Sequence, residues 1–186
     1  MRRLIILLQI TLFSNSLFCQ TLQIDSITKK GYYEKVITTK GTKDQLYTQA
    51  KAWVFKTFKS GNAVIQDNDK EAGRIYGEAI TNDLVFNNTG YKIKAGYFKY
   101  SITILVKDDK TKITLDNITF VSTGNMGGVR SGADIADEFP SNWMGAKTKM
   151  FVKNWDSMKE QAEPSFQTVM RSYELAILET QKKNDW

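Results

Sequence analysis

Between Tyr91 and Val121 apolar and polar residues alternate with a period of two, and this stretch decides most of what the chain can become. That period places successive side chains on opposite faces, so the stretch reads as extended strand rather than helix. Asp108-Asp109-Lys110 interrupts it with turn residues, which divides it into two long strands joined by a hairpin. The alternation is broken twice. Tyr91, Ile93 and Ala95 keep one phase, Phe98, Tyr100, Ile102, Ile104 and Val106 keep the other, and the change falls at Gly96. The second strand, Thr111 to Val121, changes phase between Leu115 and Ile118, at Asp116-Asn117. A one-residue slip moves every later side chain to the opposite face, so each break calls for a bulge or bend that re-aims the strand. Two matched breaks on neighbouring strands predict a strongly curved sheet.

Upstream, Gly31 to Thr39 is rich in aromatic and β-branched residues and reads as a strand. Thr42 with Gln45 three residues later forms a capping-box pattern, and Leu46, Ala50, Trp53, Val54 and Phe58 follow at helical spacing, which predicts a helix over 43–59. Ala63 to Gln66 and Arg74 to Ile80 read as two further strands, and Asn87-Asn88-Thr89-Gly90 as a polar loop. A second helix begins near Thr148, with Phe151, Trp155, Met158 and Ala162 on one face. Pro164 either kinks it or starts another, and Phe166, Val169, Met170, Tyr173 and Ile177 continue the apolar stripe. Short turns between the later strands imply antiparallel neighbours, because parallel ones need long crossovers. The two amphipathic helices require one face of the sheet for burial. The expected architecture is one α+β domain over 31–180: strand, helix, four strands, helix, with a curved antiparallel sheet and both helices on one face. Residues 20–30 read as a polar lead-in, 122–147 as a long loop and 181–186 as a frayed tail.

At the N-terminus, Met1-Arg2-Arg3 precedes the apolar run Leu4 to Phe13 and then small and polar residues, the layout of a secretion signal. The run is too short to span a bilayer, which takes about 20 residues. Cleavage is expected after Ser16 or, preferably, between Cys19 and Gln20, giving 1–19 as a signal peptide and a periplasmic or extracellular protein. A lipid-attachment site expects Leu three residues before the cysteine and a small residue just before it. Ser16 and Phe18 stand there, so we expect processing without lipidation. Loss of Arg2 and Arg3 brings the formal charge from +6 to +4, and the remaining charges are dispersed. Such a balance favours solubility without specifying a partner.

The chain contains no histidine, which excludes Ser-His-Asp and Cys-His catalysis and most catalytic zinc sites. It has one cysteine, no phosphate-binding loop motif and no dinucleotide fingerprint, so no cofactor is indicated. Asp67, Asp69, Glu71 and Glu78 echo a calcium loop. Ala72 stands where that loop needs glycine, and the flanks read as strands, so a solvated hairpin turn is the better account. The glycines between Gly124 and Gly132 lack the Lys-Ser/Thr pair of a phosphate loop. A long irregular segment in a compact domain nevertheless attracts attention, so Arg130, Asp134, Asp137, Glu138 and Trp143 form a candidate binding loop, beside the simpler reading of a flexible connection. Trp53, Phe151, Trp155 and Tyr173 sit on helical stripes and are expected in the core. Tyr97 and Lys99 should point away from the helices as a candidate sheet face. Nucleic-acid binding needs clustered basic residues with interleaved aromatics, which this chain lacks.

The residues Gly41-Thr42-Lys43-Asp44-Gln45-Leu46-Tyr47-Thr48-Gln49-Ala50-Lys51-Ala52-Trp53, then Ile65-Gln66-Asp67, Asp69-Lys70-Glu71, Gly73 and Ile75-Tyr76-Gly77, carry a recurring pattern. Over roughly 31–121 the chain resembles a secreted family of Gram-negative bacteria described as a domain of unknown function with a TBP-like fold. The resemblance implies a β-α-β-β-β-β-α unit and brings no activity, ligand or catalytic residue. The leading expectation is an exported, non-enzymatic envelope domain that binds a protein partner or an apolar ligand through its sheet face and the 122–147 loop. A carboxylate-based or metal-dependent hydrolase at that loop is the first alternative. A structural assembly unit that pairs through an exposed sheet edge is the second.

Overall fold

The computed structural model describes residues 21–58, 65–88, 90–124, 131–140 and 149–182. Its centre is the long hairpin of β6 (Tyr91–Lys107) and β7 (Lys110–Ser122), paired from Gly96↔Ser122 to Lys107↔Lys110. Both phase changes lie where the alternation places them. At the first, Gly96 has φ +155°, and a Cβ there would sit 2.0 Å from the Val121 carbonyl oxygen and 2.9 Å from the Phe120 ring. No side chain fits this approach, so only glycine lets β6 turn over here. At the second, pairing jumps from Lys99↔Thr119 to Ser101↔Asp116, and Asn117 adopts φ +50°, a left-handed conformation that Asn tolerates better than most residues.

Each break is also the point where the hairpin changes its neighbour. On the outer side of β6, β4 (Arg74–Ile80) pairs with residues 99–105 and β5 (Leu84–Asn88) with residues 91–96. On the outer side of β7, β2 (Gly31–Thr38) pairs with residues 110–115. The segment 132–135 takes over at 118–120, through Gly132 N–H to Phe120 O (2.8 Å), Phe120 N–H to Ala133 O (2.8 Å) and Ile135 N–H to Ile118 O (3.1 Å). β1 (Gln23–Ile24) adds to β2, and β3 (Ile65–Asp69) adds to β4. The sheet runs β1-β2-β7-β6-β4-β3 with β5 beside β6, and every pairing is antiparallel.

Three elements differ from expectation. β5 runs through Asn87 and Asn88, the predicted start of the polar loop, while Gly90 lies in a turn and Thr89 is outside the described residues. Leu84 and Phe86 bury as an alternating pair, and Gln161 seals the strand's outer edge by accepting from Val85 N–H (3.1 Å) and donating to Val85 O (2.8 Å). Inside the polar lead-in, Asp25 accepts from the N–H groups of Ile27 (3.0 Å) and Thr28 (2.6 Å), making an Asx turn that folds β1 back on β2. β3 runs on to Asp69, past the predicted end at Gln66.

Helix α1 (Lys43–Thr57) starts with the predicted capping box: Thr42 Oγ1 accepts from Gln45 N–H (3.3 Å) and Gln45 Oε1 from Thr42 N–H (3.0 Å). The β6–β7 turn adds to the cap, since Asp108 accepts from Lys43 N–H (2.6 Å) and Asp109 from Gly41 N–H (2.9 Å). Negative charge at a helix start is stabilising there. Helix α2 (Lys149–Lys182) passes through Pro164 without ending. Pro164 lies on the exposed side, while Ala162 and Phe166 on the inner side stay fully buried.

Both helices cover one face. Between them and the sheet, Trp53 meets Tyr173 edge-on at 4.9 Å, Phe166 lies between Tyr33 (5.1 Å) and Tyr100 (5.3 Å), and Trp155 sits against Phe98 (5.7 Å) and Phe120 (5.9 Å). Trp53, Trp155 and Tyr173 are buried as predicted, whereas Phe151 is half-buried.

Candidate functional site

The candidate loop residues separate into two groups. Arg130 and Trp143 lie outside the described residues. Asp134 and Asp137 belong to a clasp holding the segment 131–140 on the sheet. Asp134 Oδ1 accepts from Gly31 N–H (3.0 Å) and Ala136 N–H (2.9 Å), tying the start of β2 to the segment beside it. Asp137 Oδ2 accepts from Asp134 N–H (3.0 Å), and Trp155 Nε1–H donates to Asp137 O (2.8 Å). Ala133 and Ile135 are buried beneath. Glu138 is exposed, and the three acids do not converge on a common cleft. Asp134 and Asp137 thus have structural partners that account for their presence.

Three of the four calcium-like acids have protein partners. Asp67 binds Arg74 (2.6 Å), Asp69 Oδ1 caps the β3–β4 turn at Ala72 N–H (2.9 Å), and Glu78 pairs with Lys99 (2.8 Å). Among the described residues, no three Asp, Glu, His or Cys side chains are placed to hold a metal ion.

Among the described residues, no helix covers the face of the sheet opposite α1 and α2. Tyr97 and Lys99 stand on it, opposite Val121 and Thr119 on β7, in the phase opposite to buried Phe98 and Phe120. The hydrogen bond from Lys99 holds the Glu78 carboxyl below the usual carboxylate range. Neither Tyr97 nor Lys99 lines the cleft on this face. That cleft, with a volume of about 450 Å³, lies over β2 and the neighbouring β7. Its wall is the Asx turn at Asp25 and Thr28 with Lys30, and its floor is Tyr32, Glu34, Thr114, Asp116 and Asn117. This volume falls in the range of small-molecule and side-chain pockets, about 300–1,000 Å³. In contrast, the described space between α1 and the sheet holds only a void of about 10 Å³ among Val54, Ile65, Ile75, Gly77, Ile102 and Ile104.

Charge in the cleft is unevenly matched. Glu34 accepts from Lys112 (2.9 Å) and Thr114 (3.3 Å). Hydrogen bonds from Thr28 and Ile27 hold the Asp25 carboxyl below its ordinary value. Burial pushes the Asp116 carboxyl up, and nearby Lys30 only partly opposes this. An acid with a raised folded pKa favours the fold when protonated, and that contribution is lost as pH rises through the folded pKa. Asp116→Asn keeps the shape and removes the charge. Its melting temperature at pH 7 is expected to exceed the parent's, with the gap closing toward about pH 4, near the ordinary Asp value. An advantage independent of pH would show that ionisation of Asp116 is not the cause.

Sequence reasoning found the bulge at Asp116-Asn117 but not the cleft. Its lining comes from three segments far apart in sequence, and the one local signal was the Asp25 to Thr28 spacing of an Asx turn.

Comparison with known proteins gives a consistent picture. Residues 32–121 match the family described as a domain of unknown function (DUF4468) with TBP-like fold. The crystal structure of a DUF4468 family protein from Bacteroides ovatus superposes with a TM-score of 0.55 at 15% identity, covering 81% of this chain and 90% of that one. A TBP-like protein from Parabacteroides distasonis gives a TM-score of 0.52 at 17% identity, covering 77% and 92%. At such identities the likeness is one of fold. No curated protein matches the chain.

Proposed function

We propose that this chain, whose residues 32–121 match the DUF4468 family of TBP-like domains, is an exported, non-catalytic binding domain that holds another polypeptide against the face of its sheet that no described helix covers. The cleft of about 450 Å³ over β2 and β7 carries the proposal, because it opens on the face that no described helix covers. A polypeptide fits better than an apolar ligand. The void between α1 and the sheet is smaller than one small molecule, whereas the cleft offers carboxylates, hydroxyls, an ammonium and an aromatic ring. Mixed linings of this kind suit a side chain and its backbone. Nucleic acid fits poorly, since cations of the sheet are already paired with acids: Lys99 with Glu78, Lys112 with Glu34 and Arg74 with Asp67. Export rests on the N-terminal sequence, Met1 to Cys19.

Site-specific photo-crosslinking in the native host tests both parts. A photoreactive residue at Thr114 or Tyr32 is expected to give one discrete adduct, and the same residue at Thr168 on the exposed side of α2 none. Adduct formation should weaken with Asp116→Lys, and the mature N-terminus should read Gln20. Equal labelling from both faces, or none from the cleft, would overturn the binding reading. An N-terminus at Met1 would overturn export.

A further inference from the structure

We propose that two copies of this chain join edge to edge along β2, forming one continuous sheet across a two-fold axis at Val36. The inference is independent of the cleft and begins with the backbone of β2. Lys30 C=O faces β1, since it accepts from Asp25 N–H (2.9 Å). Gly31 N–H faces the β7 side, since it donates to Asp134. Thr39 N–H again faces that side, donating to Asp109 O (3.0 Å). Backbone groups in a strand alternate sides, so the N–H and C=O of Glu34, Val36 and Thr38 point away from β7. β1 pairs only with Gly31 and Tyr32, and no other described strand lies along the rest of this edge.

Two other described edges, those of β5 and β3, are guarded. Gln161 occupies both backbone groups of Val85 on β5. β3 carries Asp67 and Asp69 and a register shift between Ile65 and Asp67. Charges and bulges are the usual means of keeping a strand edge from pairing with another chain. β2 has neither a proline nor a bulge, and both its charges are engaged within the chain: Lys35 with Glu174 of α2 (2.5 Å) and Glu34 with Lys112 (2.9 Å).

One register of self-pairing suits this edge. With Val36 opposite Val36 of the second copy, Glu34 faces Thr38 and Lys35 faces Ile37. All three outward residues then fall in hydrogen-bonded pairs, and no like charges meet directly. Shifting the dyad to Lys35 would oppose two lysines and require Tyr32, which β1 already uses. Val36 is 46% exposed on the open face. Leu178, one turn beyond Glu174 along α2, is 37% exposed on the helix side, so apolar surface is available on both sides of the seam.

Sedimentation of the protein from about 1 to 100 μM is expected to show a monomer giving way to a dimer, since such an equilibrium follows concentration. Val36→Pro removes only an outward N–H, so it should remain monomeric with an unchanged circular dichroism spectrum. Val36→Lys, which sets two cations across the dyad, should dissociate the dimer without altering the backbone. Amide exchange at Glu34, Val36 and Thr38 should slow in the dimer. A monomer throughout, a dimer that survives both variants, or fast exchange at these amides within the dimer would each overturn the proposal.

Discussion

Gly96→Val is expected to remove about 3–5 kcal/mol of folding stability, the combined scale of overpacking and a disfavoured backbone conformation. The position is unforgiving because the nearest atom to any added Cβ is backbone: the Val121 carbonyl at 2.0 Å cannot move without opening the β6–β7 ladder. Relief by rotating Gly96 out of φ +155° would return β6 to unbroken alternation. Ala95, or Phe98 and Tyr100, would then leave the core. Urea unfolding of Gly96→Ala and Gly96→Val measures the effect. The alanine variant should already lose most of the stability, because the clash lies at Cβ. A loss below about 0.5 kcal/mol, the scale of an ordinary surface change, would mean that the strand does not turn over at this residue.

Trp155→Ala should cost a similar amount, about 3–5 kcal/mol, as expected for truncating a fully buried aromatic residue. The side chain is 0% exposed, contacts Phe98 and Phe120, and reaches past them to Asp137 O. It therefore joins α2, the hairpin and the segment 131–140 at one point. Trp155→Phe separates the contributions by keeping most of the apolar volume and removing the donor, at an expected cost of about 1–2 kcal/mol. Its further signature is local: proteolysis within 131–140 should accelerate more than global unfolding does. Equal acceleration of both would assign Trp155 to the core alone.

Much of this fold is legible from short-range pattern. The capping box at Thr42 and Gln45, the helical stripe through Trp53, and the two phase changes are local devices, and the structure places all of them as read. β5 was missed because its stability comes from elsewhere. Leu84-Val85-Phe86 is a short run, and its edge is completed by Gln161, 76 residues away. Continuity through Pro164 was undecidable because it depends on the burial of Ala162 and Phe166 against a sheet the local sequence does not describe. The acids of the 122–147 segment drew attention as chemistry because their partners, Gly31 N–H and the backbone of neighbouring residues, leave no trace in residue type. The cleft is hardest of all to read, being made where β1, β2 and β7 meet.

The clasp at Gly31 and Asp134 also governs the order of assembly. The β6–β7 hairpin closes through a turn of a few residues, and such contacts form early because little chain entropy is lost. β2 has no such advantage. Its bonds reach Asp134 across 103 residues, Glu163 across 130 and Glu174 across 139. The most N-terminal partner of β7 is thereby bound to the last helix. During synthesis β2 can pair with β7 once residues 110–115 are available, but the helix-side face of β2 stays uncovered until α2 has emerged, so the core closes only once nearly the whole chain is made.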